Sequence, residues 1–163
     1  LDRKSSQPSG EVSIRILRHD HAMVIAAVDA LERRRFAFLL ASDFDLGLPD
    51  GMDDTAYLKT LALLLEELRS CVPSPDIVFY NAGVDVHAED RLGRLALTDR
   101  GIAQRDRMVI SHFRARGVPV CGVIGGGYSR DLDALARRHA LLHHVADEFS
   151  FSVRSGSSEA AQG

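Results

Sequence analysis

Two short apolar segments, Ile77-Val78-Phe79-Tyr80 and Val118 to Ile124, each run into a loop, and a helix-length stretch separates them. Apolar runs rich in strand formers, the first preceded by a Pro-Ser-Pro break and the second following the helix stop that Gly117 with Pro119 gives, predict buried parallel strands. A strand, crossover helix and neighbouring strand almost always form a right-handed unit, which puts the C-terminal ends of both strands on one sheet edge. Ligands of such sheets bind outside that edge. The first strand is followed by Asn81-Ala82-Gly83-Val84-Asp85 and the second by Gly125-Gly126-Gly127-Tyr128, so Asp85 and Tyr128 are expected to face one cleft.

The flanking segments read as helices. Tyr57, Leu58, Leu61, Leu64, Leu65 and Leu68 recur at helical spacing, with Asp53 or Asp54 available to cap the first turn and an end near Cys71. Thr98 can cap a second helix presenting Ile102, Met108, Val109 and Phe113. A third is predicted over about Asp131 to Ala146, carrying Leu132, Leu135, Ala136, His139 and Leu142 on or near one face. The expected order is helix, strand, helix, strand, helix, an α/β class.

Composition excludes several partners. With 45% hydrophobic and 26% charged residues, 163 residues suffice for one domain with a core. Apolar stretches such as Ala22 to Val28 and Leu61 to Leu65 are far shorter than the roughly 20 residues of a membrane-spanning helix. Arg3 and Lys4 do not open a secretory signal, because Asp20 and Asp29 flank the short apolar run; a cytoplasmic location is expected. A formal charge of −3 offers no general attraction to nucleic acid or anionic membranes, and Arg33 to Arg35 read as a solvated helix end. Cys71, at a helix end, and Cys121, on a buried strand, are expected to be reduced packing residues.

The two loops and the residues around them resemble the C-terminal half of the zinc-dependent histone deacetylases, nearest to class IV and its bacterial relatives. The resemblance runs through Ser42-Asp43-Phe44-Asp45, Leu48-Pro49-Asp50-Gly51, Asp54, Tyr57-Leu58 and Asp76 to Asp85. It continues through Asp90-Arg91-Leu92-Gly93 with Leu95, Gly101-Ile102, Arg105-Asp106 and Gly125 to Tyr128. It implies part of a three-layer parallel sheet of the arginase/deacetylase type, truncated on the N-terminal side. Residues 42–149 would form the C-terminal part of the catalytic domain. Residues 1–41 form an unmatched segment, irregular or out of frame, and 150–163 a flexible tail, like the polar start Leu1 to Gly10. A truncated sheet would leave its first strand with an unpaired edge, favouring self-association into a homo-oligomer.

The resemblance also implies chemistry: hydrolysis of acetylated or acylated amines, either acetyl-lysine in proteins or an acetylated small molecule. In that family two aspartates and a histidine hold zinc, and Asp85 corresponds to one aspartate. Tyr128 corresponds to the tyrosine whose phenol stabilises the oxyanion, while Gly126 and Gly127 would let the backbone approach the substrate. The family's Asp-x-His ligand pair and its His-His general base are not recognisable here. Ala30-Leu31-Glu32-Arg33-Arg34-Arg35-Phe36-Ala37 stands where a histidine and an Asn-aromatic-Pro loop are expected. One carboxylate does not close a catalytic zinc site, so the chain alone is expected to be inactive, and a non-catalytic remnant offering an interaction surface is the alternative.

Other tempting groups have plainer readings. In an arbitrary sequence an aspartate after a strand-end glycine more often caps a turn; the matched motif is what favours the metal. His87 is expected to be an exposed loop residue, Glu89 replaces a usual glycine, and Asp90 is expected to brace its loop rather than touch metal. His143-His144 falls late in a helix, His19-Asp20-His21 reads as surface, and His112 and His139 as helical packing or surface residues. The glycine run lacks the spacing of dinucleotide sites and the Gly-Lys-Ser/Thr ending of P-loops.

Overall fold

The computed structural model describes residues 12–19, 22–28, 44–71 and 74–156, with side chains over 46–69 and 74–150. In chain order the elements are β1 (Val12–His19), β2 (Ala22–Val28), β3 (Phe44–Leu48), α1 (Asp54–Cys71), β4 (Ile77–Asn81), α2 (Asp99–Arg114), β5 (Val120–Val123) and α3 (Leu132–Gly156). Leu1 to Gly10, Arg33 to Arg35, Asp20-His21 and the Cys71 side chain lie outside the described residues. From α1 onward the predicted order holds, and α3 runs to Gly156, past the Ser150 where a tail was expected.

Local chemistry explains the helices. Asp53 accepts the Ala56 N–H at 2.9 Å and caps α1. Thr98, extended at φ −92° and ψ 169°, caps α2 by accepting the Gly101 N–H. Asp54 in turn accepts the Thr98 N–H at 2.8 Å and its hydroxyl at 2.6 Å, joining the starts of the two helices. Leu61, Leu64, Leu65 and Leu68 of α1 are buried with Ile102, Val109 and Phe113 of α2 and Leu142 and Val145 of α3. Each such side chain, moved from water to the core, contributes about 1.5–3 kcal/mol. The exceptions in α3 are Leu132 and Ala136, which are exposed.

The strands form one sheet in the order β3-β1-β2-β4-β5. The pairs β2–β4 and β4–β5 are parallel, whereas β1 runs antiparallel to both β2 and β3. The expected unpaired edge on β4 is therefore corrected: β2 covers it, with Val24 opposite Phe79 and Ala26 opposite Asn81. In β1 the apolar Val12, Ile14 and Ile16 alternate with Ser13 and Arg15, the period-two pattern of a strand.

Val78 and Tyr80 point into the core beneath the helices, while Phe79 faces the other way and is 40% exposed. Cys121 and Val123 are exposed as well. The expectation of a buried Cys121 is corrected: it is on the strand, but the described residues build the sheet and helices on one face only, and this is the other face.

Candidate functional site

The register Val78 opposite Val120 through Asn81 opposite Val123 brings the C-terminal ends of β4 and β5 side by side. The ladder continues into the loops, with Ala82 N–H donating to Val123 O at 2.8 Å and Val84 N–H to Gly125 O at 3.1 Å. This places Asp85 alongside Gly126. A Cβ built on Gly126 would lie 2.4 Å from the Asp85 carboxylate, and Gly126 has φ +60°. Both the positive φ and the neighbouring carboxylate require glycine there. Gly127, at φ +107°, faces Val84 and Leu135, each 2.8 Å from where its Cβ would be, and His139 Nε2 at 3.3 Å. The two glycines thus meet protein atoms on the side where a side chain would project.

Tyr128 follows directly and is 51% exposed, so its phenol belongs to the open side of this edge. Its backbone is held on both sides. Its N–H donates to Asp90 Oδ2 at 2.5 Å, and its carbonyl accepts the Arg91 N–H at 3.0 Å. The other oxygen of Asp90 accepts the N–H groups of Leu92 at 2.9 Å and Gly93 at 2.7 Å. Asp90 braces the loop, as its sequence position predicts.

Beneath the Asp85 loop lies a buried polar network absent from the candidate residues read in the sequence. Arg105 donates from Nη1 to Gly83 O at 2.7 Å, from Nη2 to Ala82 O at 3.2 Å and from Nε to Asp106 Oδ1 at 2.9 Å. Asp106 also accepts the Tyr80 hydroxyl at 2.5 Å. Arg105 and Asp106 are both almost completely buried. Burial opposes the guanidinium charge, but Tyr80 and Asp106 outweigh it and raise the Arg105 pKa. Burial raises Tyr80 well above the ordinary phenol value, so Tyr80 remains a neutral donor. The signal for this network is visible in the sequence: Arg105-Asp106 falls within the apolar stripe of Ile102, Val109 and Phe113.

His87 corrects the expectation of an exposed loop residue: it is buried, because its segment pairs with Leu97 through Leu97 N–H to Val86 O and Ala88 N–H to Leu97 O. His87 Nδ1 accepts the Glu89 N–H at 3.0 Å, leaving the proton on Nε2, 3.3 Å from Asp99. Burial first, and then the Arg138 charge, lowers its pKa. Arg138, also buried, donates to Glu89 and to Asp99, the latter at 3.0 Å, and so ties α3 to this loop. His143 and His144 are exposed on α3.

Zinc chemistry requires three protein ligands plus water. Among the described residues no group of three His, Cys, Asp or Glu side chains could hold a metal. The described residues by themselves do not close a zinc site. No described helix is long and apolar enough to cross a membrane.

The histone deacetylase domain model matches residues 39–144. An uncharacterised protein of Picosynechococcus is 55% identical over 105 residues, covering 64% of this chain and 35% of that protein. Histone deacetylase 2 of Arabidopsis thaliana is 35% identical over 80 residues, 49% of this chain and 20% of the relative. The solved histone deacetylase homologue of Aquifex aeolicus superposes with a TM-score of 0.50 at 29% identity, over 58% of this chain and 24% of that one. The chain thus spans about a third or less of the length of these relatives. With residues 39–144, most of this chain, matched to the deacetylase domain model, the chain belongs to the histone deacetylase family.

Proposed function

We propose that this chain carries part of the active site of a zinc-dependent deacetylase, a hydrolase of acetylated or acylated amines such as acetyl-lysine. The observation that carries the reading is the Asp85 carboxylate packed against Gly126, two residues before the outward-facing Tyr128. Asp85 supplies one metal ligand in this reading. The remaining ligands and the general base lie outside the described residues. Zinc, when bound, supplies a Lewis acid for the amide carbonyl and for water.

The chain's own contribution is positional and electrostatic. Arg105 fixes the carbonyls of Ala82 and Gly83 and with them the approach to Asp85. The Tyr128 phenol donates a hydrogen bond to the oxygen that becomes negative as the amide is attacked. Gly126 and Gly127 supply the positive-φ turn that brings the chain to Tyr128, where any side chain would collide with Asp85, Val84 or Leu135.

The open metal site favours a second reading, a non-catalytic remnant that offers at most an interaction surface or a homo-oligomer contact. Metal content and acetate release separate the two. The enzyme reading expects stoichiometric zinc and acetate from acetyl-lysine peptides. Protein purified without zinc and releasing no acetate leaves the non-catalytic reading standing.

A further inference from the structure

We propose that Asp90 is the positioning residue that locks the Tyr128 loop to the Asp85 loop, by dividing its two carboxylate oxygens between them. Oδ1 takes the Leu92 and Gly93 N–H groups, folding the chain after Asp85 into a tight turn. That turn presses Gly93 onto Asp85: a Cβ at Gly93 would lie 1.7 Å from the Asp85 carbonyl oxygen. Oδ2 takes the Tyr128 N–H, and the next residue, Arg91, donates to the Tyr128 carbonyl. Both backbone groups of an exposed tyrosine are thereby taken by the neighbouring loop, and the Asp90 carboxylate bonds to both loops. The consequence for hydrolysis rests on the oxyanion role proposed for Tyr128; the tie itself does not.

Asparagine at this position separates the two halves of the tie. Its amide offers one acceptor oxygen and one NH2 donor. With two N–H groups on the turn side and one on the Tyr128 side, the oxygen stays with Leu92 and Gly93, and the NH2 then faces the Tyr128 N–H, donor to donor. Alanine removes both halves.

Native-state amide exchange on the isotopically labelled full chain tests this, with no need for metal or turnover. In the wild type the Tyr128 amide is expected to be protected and, because it donates to a carboxylate, shifted downfield. Asp90→Asn is expected to speed Tyr128 exchange by about tenfold or more while Leu92 and Gly93 stay within about threefold. Asp90→Ala is expected to speed all three. An unprotected Tyr128 amide in the wild type overturns the proposal even if neither variant folds. So does Tyr128 exchange unchanged by Asp90→Asn, or Leu92 and Gly93 released together with Tyr128 in that variant. Failure to release acetate would refute the hydrolytic reading and leave these exchange rates unaffected.

Discussion

Asp85 and Tyr128 share one sheet edge but are held there by different means. The Asp85 loop rests on Arg105, Asp106 and Tyr80, all buried, whose hydrogen bonds reach the carbonyls of Ala82 and Gly83. The Tyr128 loop has two glycines at positive φ, an exposed aromatic ring and hydrogen bonds to a neighbouring loop that is itself on the surface. A carboxylate that is to hold a metal needs fixed geometry. A phenol that meets substrate has to reach outward. The contrast predicts that the first loop fails only when the core fails, whereas the second can be loosened alone.

The largest effect is expected from Arg105→Met. It leaves Asp106 charged and buried without its cation, at a cost of about 3–5 kcal/mol. Urea unfolding should show the whole domain destabilised, and a small change would mean that the network is not what supports the Asp85 loop. Gly126→Ala comes next. Strain at φ +60° and the approach of Cβ to the Asp85 carboxylate should cost about 1–3 kcal/mol, read as a lower denaturation midpoint.

Acidification should act on the Tyr128 side. His139 lies against Gly127, its Nδ1 is buried without a hydrogen-bond partner among the described residues, and burial lowers its pKa. A histidine with a depressed folded pKa binds its proton more readily when unfolded. Its neutral form therefore favours the fold above the ordinary histidine value, near 6.5, and that stability is lost as pH falls below it. His87 and His112, also depressed by burial, contribute with the same sign. His139→Leu should reduce the fall in unfolding midpoint between about pH 7.5 and 5.5. An unaltered slope would assign the pH dependence to the other two.

Tyr128→Phe should be the mildest for the fold and the most selective for chemistry. Removing an exposed hydroxyl should change stability by no more than about 0.5 kcal/mol. In protein that releases acetate, loss of an oxyanion donor should lower turnover by about 10²–10³-fold. Full activity of this variant would remove Tyr128 from its proposed role.

The difference between the loops also explains what could be read from the sequence. Asp85 and Tyr128 stand at fixed offsets from apolar runs, so their common edge follows from strand order and handedness alone. The Thr98 cap and the helical spacing of α1 and α2 are equally local, set by residues within one or two turns. The burial of His87 depends on pairing with Leu97, ten residues away, and composition carries no trace of that pairing. The exposure of Cys121 is not legible in its apolar run, because such a run states that a strand could be covered on both faces, not which faces are covered here.

By itself, then, the sequence determined the α/β class, the capped helices and the two strand ends that carry Asp85 and Tyr128, because each is encoded within a short span of chain. Tertiary structure alone decided that β2 closes the edge of β4, that Arg105 reaches the Ala82 and Gly83 carbonyls 23 and 22 residues upstream, and that Asp90 grips the Tyr128 amide 38 residues downstream. Contacts over such separations depend on how packed elements align, and that alignment exists only once the core has formed.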